Sequence, residues 1–129
     1  MKVTGIMRSS PVILLQPASQ ISQELRAKLE RVFGGVHLAC SVDEAKRAIA
    51  HYRAGYAVLD AEIASFSDVA EITRDFPAAA VICIHRLADE QLWAEALNAG
   101  ALDIFSPNDA NGIVNALSRS SAVMGAVAA

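Results

Sequence analysis

Five short apolar runs recur along this chain, at Val12–Leu15, 36–40, Tyr56–Asp60, Ala80–Ile84 and 102–105. A continuous apolar run of four or five residues reads as a strand buried on both faces. Between the runs, apolar residues recur at helical spacing, and every connection is short. Strand and helix alternating in this way dictate a parallel sheet with helices on both faces and right-handed crossovers. The fold class is therefore α/β, with five strands and five helices.

The helical stretches carry their own end signals. Ser19 is placed to cap the first, whose inner stripe is Ile21, Leu25, Leu29, Val32 and Phe33. Glu24 and Lys28 sit at i,i+4 on its wet side, and Gly34-Gly35 closes it. Ser41-Val-Asp-Glu44 has the form of a capping box. It opens a second helix with Ala45, Ala48, Ile49 and Tyr52 inward and Gly55 at its end. A third helix over 67–76 turns Val69, Ile72 and Phe76 inward, with Pro77 beyond. A fourth, over 89–99, gathers Leu92, Trp93, Ala96, Leu97 and Ala99 into a broad apolar arc opposite Gln91, Glu95 and Asn98, and Gly100 caps it. Asn108 or Asp109 caps a last helix carrying Ile113, Val114 and Leu117. Residues 1–10 read as a lead-in and 121–129 as a tail without clear periodicity, which leaves one domain over 11–120.

Composition narrows the function. A chain of 129 residues with 53% hydrophobic content can fill one core, burying roughly 65–70% of its unfolded surface. Eleven basic and fourteen acidic residues give a net charge of −3 without a basic cluster, so no direct nucleic-acid partner is expected. No run approaches the ~20 apolar residues of a membrane span, and 12–15 is too short for a signal-peptide core. The expectation is a cytoplasmic protein with no membrane partner. Cys40 and Cys83 lie in apolar runs and read as buried free thiols, too far apart in sequence for zinc-ligand spacing. His37 and His51 also lack partners at metal-ligand spacing. The first strand–helix turn, Gln16-Pro-Ala-Ser-Gln20, contains no glycine and so no phosphate cradle. No Gly-x-Ser-x-Gly elbow and no paired carboxylates are present. Neither an enzyme nor a cofactor binder is expected.

The position that could carry chemistry is Asp60, ending the third run where open α/β sheets place their sites. With Asp60 there, Asn98-Ala-Gly-Ala101 before the fifth run and Pro107 after it, residues 11–120 resemble the receiver domain of bacterial two-component response regulators. The resemblance implies a flavodoxin-like, doubly wound five-stranded sheet in strand order 2-1-3-4-5, with Asp60 at the phosphoacceptor position. It also marks replacements. Gln16 and Pro17 stand where receivers carry the acidic pair that holds Mg²⁺. His85 stands for the hydroxyl residue ending strand four, and Ser106 for the lysine before Pro107, in a segment one residue short. Ile104 falls on the aromatic switch position, and 61–68 lacks the usual Pro and Gly.

Magnesium needs hard, anionic oxygen ligands in near-octahedral geometry. Gln16 offers a neutral carbonyl, Pro17 offers nothing, and Glu62 alone does not rebuild a pair, so no metal is expected. Phosphoryl transfer to a carboxylate depends on positioning and on cationic neutralisation of the phosphoryl oxygens. The resemblance is thus to the degenerate, pseudo-receiver type.

Its leading implication is a protein–protein interaction module in signal transduction or transcription regulation, independent of phosphorylation. The partner would be a signalling protein or a second copy of the chain. The face of helix four, strand five and helix five is the expected surface, with Trp93, Leu97 and Ile104 as candidate contacts. The alternative is a conventional response regulator phosphorylated on Asp60 by a histidine kinase. Two residues keep two readings. Trp93 lies on the flank of the apolar arc, as core or as interface anchor. His85 either faces Asp60 as a pH-sensitive pair or fills the vacated pocket and bonds nearby backbone.

Overall fold

The computed structural model describes residues 10–17 and 23–128, with side chains as far as Ser120. Strands β1 (Val12–Leu15), β2 (Val36–Ala39), β3 (Tyr56–Asp60), β4 (Ala80–Ile84) and β5 (Asp103–Phe105) alternate with helices α1 (Gln23–Phe33), α2 (Val42–Tyr52), α3 (Phe66–Asp75), α4 (Glu90–Asn98) and α5 (Ala110–Ala128). All strand pairs are parallel, in the order β2-β1-β3-β4-β5. This is the doubly wound order that the resemblance implies. β3 lies at the centre, and its register against β4 runs from Tyr56↔Ala80 to Asp60↔Ile84. The last residues of β3 and β4 therefore stand level at the carboxyl edge of the sheet.

Successive strand residues point to opposite faces, so each strand divides its side chains between two cores. Ile13, Leu15, Leu59, Val81 and Cys83 pack with Ala45, Ile49, Val69, Ile72 and Ala96 from α2, α3 and α4. Val12, Leu14, Val58, Ile82 and Ile84 pack with Leu25 and Leu29 of α1 and with Ile113 and Leu117 of α5. Each fully buried Leu or Ile contributes about 1.5–3 kcal/mol by leaving water, which is why so few aromatics suffice.

Local chemistry sets the helix ends. Ser41 Oγ accepts from the Glu44 N–H at 3.1 Å, while Glu44 Oε1 accepts from the Cys40 N–H at 2.9 Å, one residue earlier than in a reciprocal box. α3 starts one residue sooner than its periodicity predicts because Ser65 and Asp68 form a full capping box, each bond 3.0 Å long. α2 ends at Arg53, in the left-handed region at φ 51°, and not at Gly55. The Ala54 N–H bond to Ile49 O at 3.0 Å closes that turn and brings buried Ala54 to the start of β3.

Burial corrects several sequence expectations. Val32 is 50% exposed and Tyr52 40% exposed; both lie on helix flanks that the narrow sheet does not reach. The Tyr52 ring meets His37 at a tilt and His51 edge-on at the surface. Cys40 is exposed, because β2 stops at Ala39 and the chain turns into the α2 cap, whereas Cys83 is buried. β5 is one residue shorter than its apolar run, and Leu102 lies outside it, 46% exposed. α5 continues to Ala128, through the stretch read as a tail; that stretch is rich in alanine and free of proline, so propensity carries the helix on. Ser19, Ile21 and lead-in residues 1–9 lie outside the described residues. Among the described residues, no helix is long and apolar enough to cross a membrane.

Candidate functional site at the carboxyl edge of the sheet

Asp60 is 4% exposed, a carboxylate at the end of the most central strand. Its backbone carbonyl accepts from the N–H groups of Ile63 and Ala64, both at 3.0 Å, and its Oδ1 accepts from the Glu62 N–H at 2.8 Å. The side chain thus caps its own turn, as Asp does in an Asx-turn. Burial raises its pKa above the ordinary carboxyl value, against the lowering influence of that N–H bond and of nearby His85 and Arg86; the Glu62 charge adds to the rise.

Two residues beyond each strand end, Glu62 and Arg86 meet. Because Asp60 pairs with Ile84, the parallel register carries Glu62 opposite Arg86. The guanidinium donates to the carboxylate through Nη2 at 2.6 Å and Nε at 3.0 Å, and the Arg86 backbone N–H adds a bond at 3.2 Å. These bonds hold the Glu62 pKa down to about 2, chiefly through the Arg86 side chain. The pair ties the β3–α3 loop to the β4–α4 loop beside Asp60. Sequence reasoning assigned Arg86 no role. The signal was present, since opposite charges two residues beyond neighbouring strand ends become partners once the strand order is known.

No family model matches the chain, and no curated protein matches it. Solved structures do. A two-component response regulator of the LuxR family from Aurantimonas sp. SI85-9A1 superposes with a TM-score of 0.75 at 19% identity, covering 88% of this chain and 86% of that one. A response regulator from Burkholderia pseudomallei, with a phosphorylated aspartic acid, calcium ion and citrate, gives 0.73 at 19% identity over 93% of this chain and 73% of its own. A CheY-like receiver domain from Methanospirillum hungatei JF-1 gives 0.70 at 16% identity over 86% and 92%. The fold is that of response-regulator receiver domains.

Within the receiver fold, the replaced positions converge on Asp60 only in part. Gln16 is 2% exposed at the end of β1, its N–H bonded to Ala39 O at 3.2 Å. Pro17 follows it, half-buried. His85 turns to its own loop: Nδ1 accepts from the Leu87 N–H at 2.9 Å, which leaves the ring proton on Nε2. That is the backbone-bonding reading, and no His85–Asp60 hydrogen bond forms among the described residues. Ser106 Oγ accepts from the Asn108 N–H at 3.2 Å, so this hydroxyl shapes the turn after β5. The residues do not fit a receiver's Mg²⁺: Gln16 is neutral, Pro17 has no ligand atom, and Glu62 is engaged by Arg86. Among the described residues, no group of three His, Cys, Asp or Glu could hold a metal.

The three candidate interface residues separate. Trp93 is 48% exposed and Leu97 36% exposed on α4, with Leu87 at 72% in the loop before it. Ile104 does not join them. It is 7% exposed, packed in the core with Ala96, Ala99 and Ala101, because the alternation along β5 turns it toward α4. The apolar arc of α4 is accordingly narrower than its periodicity predicts, with Ala96 and Ala99 buried, Leu92 partly buried, and Trp93 and Leu97 exposed.

Proposed function

We propose that the chain works as a receiver-like protein-interaction module in cytoplasmic signal transduction or transcription regulation, and that its engagement does not depend on phosphorylation of Asp60. One observation carries this reading: the carboxylate beside Asp60, Glu62, is held by Arg86, while neutral Gln16 and Pro17 occupy the acid-pair positions. A phosphoryl group arriving at Asp60 would find a buried nucleophile with a raised pKa and no ligand set to gather a divalent cation. The module is read as non-enzymatic and without a cofactor. Exposed Trp93 and Leu97 on α4 provide the surface for a signalling partner, Trp being a frequent interface anchor.

Incubation with a small phosphodonor and Mg²⁺, followed by intact-mass measurement, tests the reading. The expected outcome is an unchanged mass. An adduct mapped to Asp60 would instead establish the conventional phosphoacceptor, with a histidine kinase as its natural donor.

A further inference from the structure

β2 is an edge strand of the sheet, and β1 separates it from the strand that carries Asp60. There His37 of β2 and Glu44, Arg47, His51 and Tyr52 of α2 line a pocket of about 210 Å³. Glu44, Arg47 and His51 follow one another at i, i+3 and i+7, so a single face of α2 carries all three. Tyr52 links the two imidazoles: its ring centroid lies 5.3 Å from that of His37 and 4.7 Å from that of His51. Strand and helix thus gather a guanidinium and two imidazoles around one exposed aromatic ring.

The charge of this pocket depends on where Glu44 points. A helical arginine pairs most readily with a carboxylate one turn before it, and Arg47 has two such neighbours, Asp43 and Glu44. It takes neither, for no ion pair among the described residues involves Arg47. Glu44 Oε1 instead accepts from the Cys40 N–H at 2.9 Å, before the helix begins. Nor does either imidazole take part in a hydrogen bond or ion pair among the described residues; each meets the Tyr52 ring. The capping geometry of α2 therefore leaves the guanidinium fork free beside two uncommitted imidazoles.

We propose that this pocket is an oxyanion site that takes a phosphate group, and that it fills in acid. A guanidinium matches two phosphate oxygens at once through its planar fork. An imidazole donates a hydrogen bond and, once protonated, adds a positive charge. With both imidazoles neutral, the charges of Arg47 and Glu44 cancel and an anion gains little. With both protonated, the two imidazolium charges stand unopposed and suit a dianion. The pocket is smaller than the ~300 Å³ at which sites for drug-sized ligands begin. It therefore holds a phosphate group and little of what that group is attached to, which excludes a whole nucleotide. The site is separate from Asp60 and from α4, and its occupancy depends on neither.

Amide NMR of the 129-residue chain, titrated with sulfate, inorganic phosphate and phenyl phosphate at constant ionic strength, tests this. Sulfate keeps its charge between about pH 6 and pH 8, where imidazoles titrate, so a change in its affinity over that range belongs to the protein. The expected result is saturable shifts at His37 and across 44–52, with a Kd on the order of 1 mM at about pH 6. Sulfate binding weakens about fivefold or more on raising the pH to about 8. Arg47→Gln weakens binding about tenfold, and His37→Gln combined with His51→Gln removes the pH dependence. Arg119→Gln, at an exposed arginine on α5, changes nothing, and circular dichroism shows each variant folded. Tighter binding of phenyl phosphate than of inorganic phosphate assigns the site to an ester; equal binding assigns it to free phosphate. Shifts that fail to saturate, that survive Arg47→Gln, or that ignore pH in the wild-type chain overturn the proposal.

Discussion

A carboxyl group 4% exposed and bonded to its own turn has lost most of the water that would stabilise its charge, and Asp60 holds its proton more tightly as a result. With a native pKa above the unfolded one, the folded state binds the extra proton. The stability Asp60 contributes is present below its unfolded pKa and is lost as pH rises through the native value. Glu62, two residues on, has the opposite sign. Its pKa is held at about 2, so its contribution is present above its unfolded value and is lost as pH falls toward the native one. Asp60→Asn keeps an acceptor for the Glu62 N–H and removes the buried charge. Urea denaturation should give Asp60→Asn a higher midpoint than wild type at neutral pH, with the gap closing below about pH 4, where both side chains are neutral. Glu62→Gln should lower the midpoint at neutral pH and flatten the loss in acid. Identical pH profiles for wild type and both variants would contradict this electrostatic account. Asp60 was legible in sequence as the end of an apolar run. Its burial was not, because that depends on loops folding over the edge.

The elements show how close packing restricts single positions. Gly100, ending α4, sits at φ +99°, and a Cβ added there would lie 2.6 Å from Thr73 Oγ1 on α3. That hydroxyl donates to Ala99 O at 2.7 Å, so it cannot retreat without breaking the bond that joins α3 to the α4 terminus. Gly100→Ala should therefore cost about 1–3 kcal/mol, from the left-handed backbone and the clash together. A chemical denaturation curve measures it, and an unchanged midpoint would show that the two helices are free to separate. The glycine itself was readable as a helix stop. Its contact with Thr73, twenty-seven positions earlier in the chain, was visible only after folding.

Across the whole molecule, burial separates residues that hold the fold from residues available to partners. Leu59 is fully buried in the central strand, whereas Trp93 is 48% exposed. Leu59→Ala should cost about 2–5 kcal/mol, and Trp93→Ala less than about 1 kcal/mol, in the range of surface changes. Equal losses in thermal or urea unfolding would place Trp93 in the core and remove it from the proposed docking surface. The apolar runs, the helical spacing between them and the Ser, Asp and Gly stops are local signals. By themselves they determined the class, the order of elements and the place of Asp60 at a strand end. What only the tertiary structure decided are the long-range matters: Glu62 against Arg86, Ile104 turned inward while Trp93 stays out, and Cys40 exposed while Cys83 is buried. Each depends on which strands become neighbours and how much of a helix the sheet can cover. Hydrophobic spacing within a segment records neither, because both arise from contacts between segments far apart in the chain.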